Sequence, residues 1–549
     1  MKKGTFKISK KTTKGKTYYT AAIVKSYREN RKVKQKTIKS FGGVTYQEAQ
    51  RSKLAYTAKS IEGLIHIDDI ECEEGVSYGG IYLVRHLWER IGLNEALKGC
   101  RGYFPEIFAM VCQRLFAPNS KLHLNEWAPD TALSYLVGLR LQEPVPHRCY
   151  FALDRVITNR EALEGSFPLI AKEFNQDLSR LYYDITSTYF EGSKLRIAFY
   201  GYSRDKRPDK RQIIIGLLTT VDGFPIKVFI YEGNRCDKST IQEVMEEIKR
   251  TFPKSEITIV LDRGMITKKN LQYIEAMGYK YIIALRKTDS ADIVNSPLNE
   301  AEMQPLKEGQ YVRLFETLTD RYAVVLNVQK REDDYEYREG KIGEAIKELD
   351  KLNETIQKGH LVEREKIVGR VTLILNKYKV RRYIRWSVPE GNGKLVDYTR
   401  NEKEITRDAI YDGVYVLRTN KEGLSSEEIV NAYKQLMRVE MAFRCLKDVL
   451  EIRPVYHWRE DRVKAHVYIC VLSYLIHTVI EYLLKRKVIQ ISADTLLERI
   501  KRVKLITLTD KDNKIIAHKV TKKIDEETRQ SLSAFGIKTI KAERMYWRK

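Results

Sequence analysis

From residue 178 to 288 the chain reads as strand, strand, strand, helix, strand, helix, strand, and that order limits the fold more than any other feature. "LSRLYYDIT" is a strand running into Asp184, and "RQIIIGLLTTVDGFPIKVFIYEGN" holds two strands joined at Val221-Asp222-Gly223-Phe224, where Asp-Gly is a strong hairpin signal. "STIQEVMEEIKRTF" has helical periodicity, "SEITIVLDRGM" is a strand ending at Asp262, and "TKKNLQYIEAMG" is a helix with Thr267 as N-cap and Gly278 just past its end. "YKYIIALRK" is the last strand of the run. Asp184 and Asp262 thus each stand where a strand ends. A carboxylate beside a hydrophobic sheet is costly unless something offsets it, and a divalent cation would. Oxygen ligands on a rigid sheet suit Mg²⁺. Either aspartate alone reads equally as the first residue of a loop.

A third carboxylate adds weight to the metal reading. "SSEEIVNAYKQLMRVEMAFRCLKDVL" predicts one long helix, N-capped by Ser425 or Ser426, on which Glu440 stands among Lys434, Arg438, Arg444 and Lys447. With Glu440 at zero on a helical wheel, Tyr433, Arg444 and Lys447 fall within ~40° of it, while Arg438 falls at ~160° and is expected to face solvent. A glutamate in a stripe of bases can complete a carboxylate metal site while the bases hold a phosphodiester beside it. Three carboxylates can hold two cations about 4 Å apart, one activating the attacking oxygen and one stabilising the leaving oxygen. An intrahelical pair of Glu440 with Arg444 is the plainer alternative.

The partner implied by charge is a polyanion. The net charge is +25, and residues 1–40 hold 14 Lys and Arg against one acid, Glu29. "GKTYYTAAIVKSYRENRKVKQKTIKSFGG" alternates like strands and breaks at Arg28-Glu29-Asn30, so residues 1–45 are expected to form a basic β-hairpin arm suited to phosphate contacts. Gly15-Lys16-Thr17 is not a phosphate-binding loop, because Lys10 stands where its first glycine should be. The seven cysteines show no CxxC pair, which argues against structural zinc and a disulfide framework and fits a reducing cytoplasm. No apolar segment at the N-terminus reads as a signal peptide. "VYICVLSYLIHTVIEYLL" is nearly long enough to span a bilayer, but His477 and Glu481 interrupt it, and a buried core helix is expected.

The remaining regions frame this core. Residues 46–170 read as mainly helical, for DNA binding or dimerisation, with Gly99 and Pro118 as stops. Residues 171–289 form the first part of the core. Residues 290–408 read as an inserted subdomain, with a helix at "IGEAIKELDKLNETIQKG" and strands at "RVTLILNKYKV", "RYIRWSV" and "KLVDYTRN". Residues 409–489 return to the core through "YDGVYVLRTN" and the glutamate helix, and residues 490–549 are a C-terminal accessory region.

Asp184 in "YYDITSTYF", Asp262 in "IVLDRGM" and Glu440 in "YKQLMRVEMAFRCLKDVLEIRPVYH" resemble the catalytic triad of DDE transposases of bacterial insertion sequences. The group it is most similar to has a ribonuclease H-like core with a β-rich insertion between the second Asp and the Glu. The gaps of 78 (262 − 184) and 178 (440 − 262) residues match that plan. Tyr433, Glu440 and Lys447 fit the group's Tyr-Arg-Glu-Lys signature, whereas Leu436 stands at the Arg position, and Arg444 lies on the right stripe to replace it. The resemblance covers about 175–480.

It implies a multidomain α/β fold, and cutting at the ends of an element followed by joining of the 3′-hydroxyls to target DNA. It implies two Mg²⁺ per site, with Mn²⁺ able to substitute, held by Asp184, Asp262 and Glu440. It also implies a homodimer or higher multimer on double-stranded DNA at the nucleoid, with no membrane partner. Tyr433, Arg444, Lys447, Arg263 and His457 are the expected DNA contacts, with Thr186 and Ser187 positioning groups near Asp184 and His466 packing a helix. Two alternatives remain open at this stage: a metal-dependent nuclease on the same core that does not join, and a non-catalytic DNA-binding protein descended from a transposase.

Overall fold

The computed structural model describes residues 4–13, 16–29, 32–57, 70–140, 145–192, 194–253, 256–521 and 524–543. It is a mixed α/β protein that divides into two units, Met1–Gly75 with Ile506–Lys519, and Val76–Leu505 with Val520–Lys549.

The first unit opens with three antiparallel strands, β1 (Thr5–Thr13), β2 (Lys16–Glu29) and β3 (Lys32–Val44), in the order β1-β2-β3. The expected hairpin is β2 with β3, and its turn at Asn30 and Arg31 lies outside the described residues. The arm has one strand more than expected, because Phe6 and Ile8 of the lysine-rich "TFKISKKTT" alternate toward a small core with Ala21 and Ala49. The helix Tyr46–Thr57 supplies Ala49 and is started by a reciprocal cap: Glu48 N donates to Thr45 Oγ1 (3.2 Å) and Thr45 N donates to Glu48 Oε2 (2.8 Å). The lysines of β3 stay exposed. The short strand β4 (Glu71–Cys72) completes this part of the unit.

The second unit begins with β5 (Val76–Ser77) and a helical region. Its helices Gly79–Arg90, Phe104–Phe116 and Val145–Thr158 pack against the long helix Glu460–Arg486, while Arg160–Glu173 packs on the strand Pro225–Glu232. That long helix is apolar all round, and 89% of its most apolar window lies inside the protein, as a core helix requires. Gly99 does not stop the chain's helical path, which continues as a 3₁₀ turn over Lys98–Tyr103.

At the centre lies a nine-stranded sheet. Its strands are β6 (Arg180–Tyr189), β7 (Gln212–Thr219), β8 (Pro225–Glu232), β9 (Thr258–Leu261), β10 (Lys280–Ala284), β11 (Gln304–Lys307), β12 (Gln310–Glu316), β13 (Arg321–Asn327) and, after three helices and the hairpin β14 (Ile384–Ser387) with β15 (Asp397–Arg400), β16 (Val414–Thr419). The order is β11-β12-β13-β16-β10-β9-β6-β7-β8. β6 pairs with β9 and β9 with β10 in parallel; the other pairings are antiparallel. β7 is buried at every position, as a strand covered on both faces should be.

Part of the 290–408 region thus extends the main sheet. The rest has its own core around the helices Val328–Gln357 and Arg364–Tyr378. "RVTLILNKYKV", expected as a strand, belongs to the second of these helices. Its buried residues Ile367, Val371 and Leu375 recur every four positions, so packing against the first helix overrides the β-branched content of the segment. The last strands are β17 (Lys504–Thr509) and β18 (Ile515–Val520).

Candidate active site

Two neighbouring parallel strands present the two aspartates side by side. Tyr183 of β6 is in register with Leu261 of β9, so the next residues, Asp184 and Asp262, stand abreast. Asp184 is not at a strand end as expected: β6 runs on to Tyr189, because Ile185–Thr188 keep pairing with β7 after β9 has stopped. Asp262 does end its strand, caps the following 3₁₀ turn, and accepts from Gly264 N (3.4 Å).

Glu440 comes from the helix Met437–Arg444, which packs on β6. The long helix expected here is broken. Ser425 caps its start through a reciprocal pair with Glu428, and the first segment, Ser426–Lys434, ends at Gln435. A tight turn, with Arg438 N donating to Gln435 O (2.8 Å), restarts it, and a wide turn over Cys445–Val449 follows Arg444. Leu436, at the turn, is buried in the core.

The structure gathers the three carboxylates electrostatically. The Asp184 carboxyl is pushed up to about 7: burial is the main cause, the negative charges of Asp262 and Glu440 add to it, and the Ile185 N–H and Arg204 oppose it. Asp184 Oδ1 accepts from Ile185 N (2.7 Å), and Asp262 Oδ1 accepts from Tyr433 Oη (3.3 Å). The Tyr433 phenol is pushed well above its usual value, first by burial and then by Asp262 and Glu440. Among the described residues no three Asp, Glu, His or Cys side chains close around a single point at ligand distance. The donor set itself, all carboxylate oxygen, suits a hard divalent cation.

The basic residues separate into two groups. Arg263 and Arg444 are exposed beside the carboxylates. Lys447, expected on the same stripe, turns inward instead: its Nζ bonds Asp205 Oδ1 (2.6 Å), with 10% and 1% of the two side chains exposed. The wide turn at 445–449 takes Lys447 off the regular wheel. Arg438, expected to face solvent, is half-buried, and its charge reaches Tyr474 of the core helix. His457 is half-buried against Tyr150 and His466. Thr186 and Ser187 are buried, and Ser187 Oγ accepts from Arg204 N (2.8 Å), which ties a loop to the site.

That loop carries residues the periodicity did not reveal. Arg204 bonds Asp237 (2.6 Å) while its charge lowers the Asp184 carboxyl, and the carboxylates of Asp237 and Asp262 both lie within 4 Å of one point beside Gly264. Asp205 accepts from Lys447, from Arg453 and from Tyr189 N (3.2 Å). The only signal in the sequence is an Arg-Asp pair in a charged loop between two strands.

Strands, loop and helix thus bring Asp184, Asp262 and Glu440 into one region, with Arg263 and Arg444 exposed beside it. Residues 177–476 match the transposase DDE domain, and residues 6–64 match the N-terminal domain of IS1634 family transposases. The chain belongs to the DDE transposases of insertion sequences. Among solved structures it is similar to a piggyBac transposase in a synaptic complex with hairpin DNA, at 10% identity and a TM-score of 0.38, over 77% of this chain and 76% of that one. No curated protein matches it.

Proposed function

We propose that this transposase cuts DNA at the ends of its insertion sequence and joins the 3′-hydroxyls to target DNA, with Asp184, Asp262 and Glu440 as its catalytic carboxylates. The observation that carries this reading is the placement of Asp184 and Asp262 abreast on paired parallel strands, with the charge of Glu440 felt at Asp184. The strand order β8-β7-β6-β9-β10, antiparallel through β6 and parallel beyond it, supports a ribonuclease H-like core.

The three carboxylates would hold two Mg²⁺, or Mn²⁺ in substitution, and such ions supply Lewis acidity and charge neutralisation at the attacking and leaving oxygens of a phosphoryl transfer. The chain's own residues do the rest. Tyr433 fixes the orientation of Asp262 by donating to Oδ1. Arg263 and Arg444, exposed at the rim, contact DNA phosphates. The Lys447–Asp205–Arg453 cluster anchors the end of the glutamate helix to the end of β6, since Asp205 also accepts from Tyr189 N. The basic strands β1–β3 supply a sequence-independent hold on duplex DNA. The working form is a homodimer or higher multimer pairing two element ends, acting on nucleoid DNA in the cytoplasm.

The test uses DNA from the borders of the gene with Mg²⁺, beside a Glu440→Gln variant. Cleavage and joining by the wild type, lost in a variant that still binds, are expected. Cleavage without joining moves the assignment to a nuclease. Binding without cleavage by either protein, with Mn²⁺ also tried, defeats the catalytic reading.

A further inference from the structure

A second charged cleft lies beside the chain segment that follows the glutamate helix. It encloses about 630 Å³ and is lined by Arg453, Tyr456, Trp458, Arg459 and Arg462, with Arg114 and Lys121 at its floor. Two large aromatic rings stand open here, Trp458 at 68% and Tyr456 at 64% exposure. An open aromatic ring offers a flat face on which a nucleic-acid base can stack.

The floor holds two buried bases. Arg114 is buried and donates to the carbonyls of Leu450 (3.3 Å) and Glu451 (2.9 Å). Lys121 is buried too, and its Nζ bonds His466 Nδ1 (2.5 Å), while His466 Nε2 donates to Ile452 O (3.1 Å). His466 is therefore neutral and cannot offset the lysine. Burial, and then Arg114, push the Lys121 ammonium down to about 7. Burial, and then Lys121, Arg462 and Arg114, push His457 down to about 3. Carboxylates answer part of this charge: Glu451 on the lining acts on Arg114, Asp154 pairs with Arg462 and Arg459, and Asp205 and Asp448 pair with Arg453. Arg459, with 43% of its side chain exposed, keeps a guanidinium open to solvent on the lining.

The same segment connects to the candidate active site. Val455 bridges Phe190 at the end of the strand that bears Asp184, and Arg453 shares Asp205 with Lys447. Six residues of strand separate Asp184 from Phe190, or about 20 Å at the usual rise.

We infer that this cleft binds an unpaired nucleotide of the DNA substrate, its phosphate beside Arg459 and Arg462 and its base stacked on Tyr456 and Trp458. The inference rests on the DNA-processing reading above. An unpaired base is required because a base within a duplex has both faces covered by its neighbours. A cationic groove with aromatic platforms is the general solution for single-stranded nucleic acid.

The test measures binding of a short fluorescent oligothymidylate and of a blunt duplex to the full chain in EDTA. The Tyr456→Ala/Trp458→Ala variant should bind the oligothymidylate about ten-fold or more weakly, and the duplex within about two-fold of wild type. Trp458→Phe should restore much of the loss, and Arg459→Gln should weaken the oligothymidylate through its phosphates. Equal oligothymidylate binding by wild type and the double variant overturns the inference, and so does equal loss on the duplex. Glu440→Gln should bind the oligothymidylate like wild type. A protein that stacks the oligothymidylate but never cuts border DNA defeats the proposed function and not the cleft. A protein that cuts, but whose ring variants bind normally, defeats the cleft alone.

Discussion

Replacing Asp205 by alanine should destabilise the protein by about 4 kcal/mol at pH 8. The Asp205 side chain is 1% exposed and faces two cations, Lys447 and Arg453. Arg453 is a quarter exposed and keeps a second partner in Asp448 (2.9 Å), so its loss is modest. Lys447 is the costly one, since it is 10% exposed and Asp205 is its ion-pair partner. Burial already lowers its ammonium below the usual 10.5, with Asp205 working against that fall. Stranded, Lys447 can shed its proton, and at pH 8 that route limits the penalty to about 3 kcal/mol, at 1.36 kcal/mol for each pKa unit up to 10.5. The lost bond from Tyr189 N adds about 1 kcal/mol. The sum lies within the range of about 3–5 kcal/mol for breaking a buried pair from one side.

The assay is urea unfolding of wild type, Asp205→Ala, Lys447→Met and the double variant. Lys447→Met leaves Asp205 with Arg453 and Tyr189 N, and should cost about 1–2 kcal/mol. The double variant should be more stable than Asp205→Ala by about 2 kcal/mol or more, because no stranded charge remains. A double variant as unstable as Asp205→Ala, or an Asp205→Ala within about 1 kcal/mol of wild type, would refute the argument. Lys447 would then be free for phosphate.

Three further outcomes are expected. Burial works against the charge on His477, but its bonds to Asp494 and Cys445 raise it to about 10. Its folded value thus exceeds the unfolded value of 6.5, so this stabilisation is complete below pH 6.5 and disappears as pH rises through about 10. Asp494→Asn should lower the melting temperature at pH 6 and not above pH 10, and parallel melting curves across that range would contradict the pairing. Gly413→Ala should cost about 3 kcal/mol or more by thermal unfolding, because its φ is +66° and an added Cβ would meet Asn327 O and lie 2.7 Å from Arg331 N, both rigid backbone. Deleting residues 1–40 should weaken DNA binding and flatten its dependence on salt, measured by anisotropy titration; an unchanged slope would leave β1–β3 without a role in phosphate contact.

Much of this protein is legible locally. The Asp-Gly hairpin between β7 and β8, the Thr267 and Ser425 caps and the left-handed Gly278 follow from short-range chemistry, as does the alternation of β2 and β3. Such signals depend on neighbours a few residues away, so the sequence carries them whole. The strand order around Asp184 and Asp262 is of the same kind.

What the tertiary structure decided depends on partners far along the chain. β6 continues past Asp184 only because β7 pairs with it, and Arg364–Tyr378 is a helix because Val328–Gln357 packs against its four-residue stripe. The break at Gln435–Leu436 and the wide turn at 445–449 shift the helical wheel, so Lys447 meets Asp205, a residue 242 positions earlier, and leaves the predicted stripe. A charged residue in a loop gives no periodic signal of its own. Whether Lys447, Arg204 or Lys121 faces solvent, a carboxylate or a neutral histidine is set by which elements the core brings together, and a buried charge takes whichever partner lies within reach.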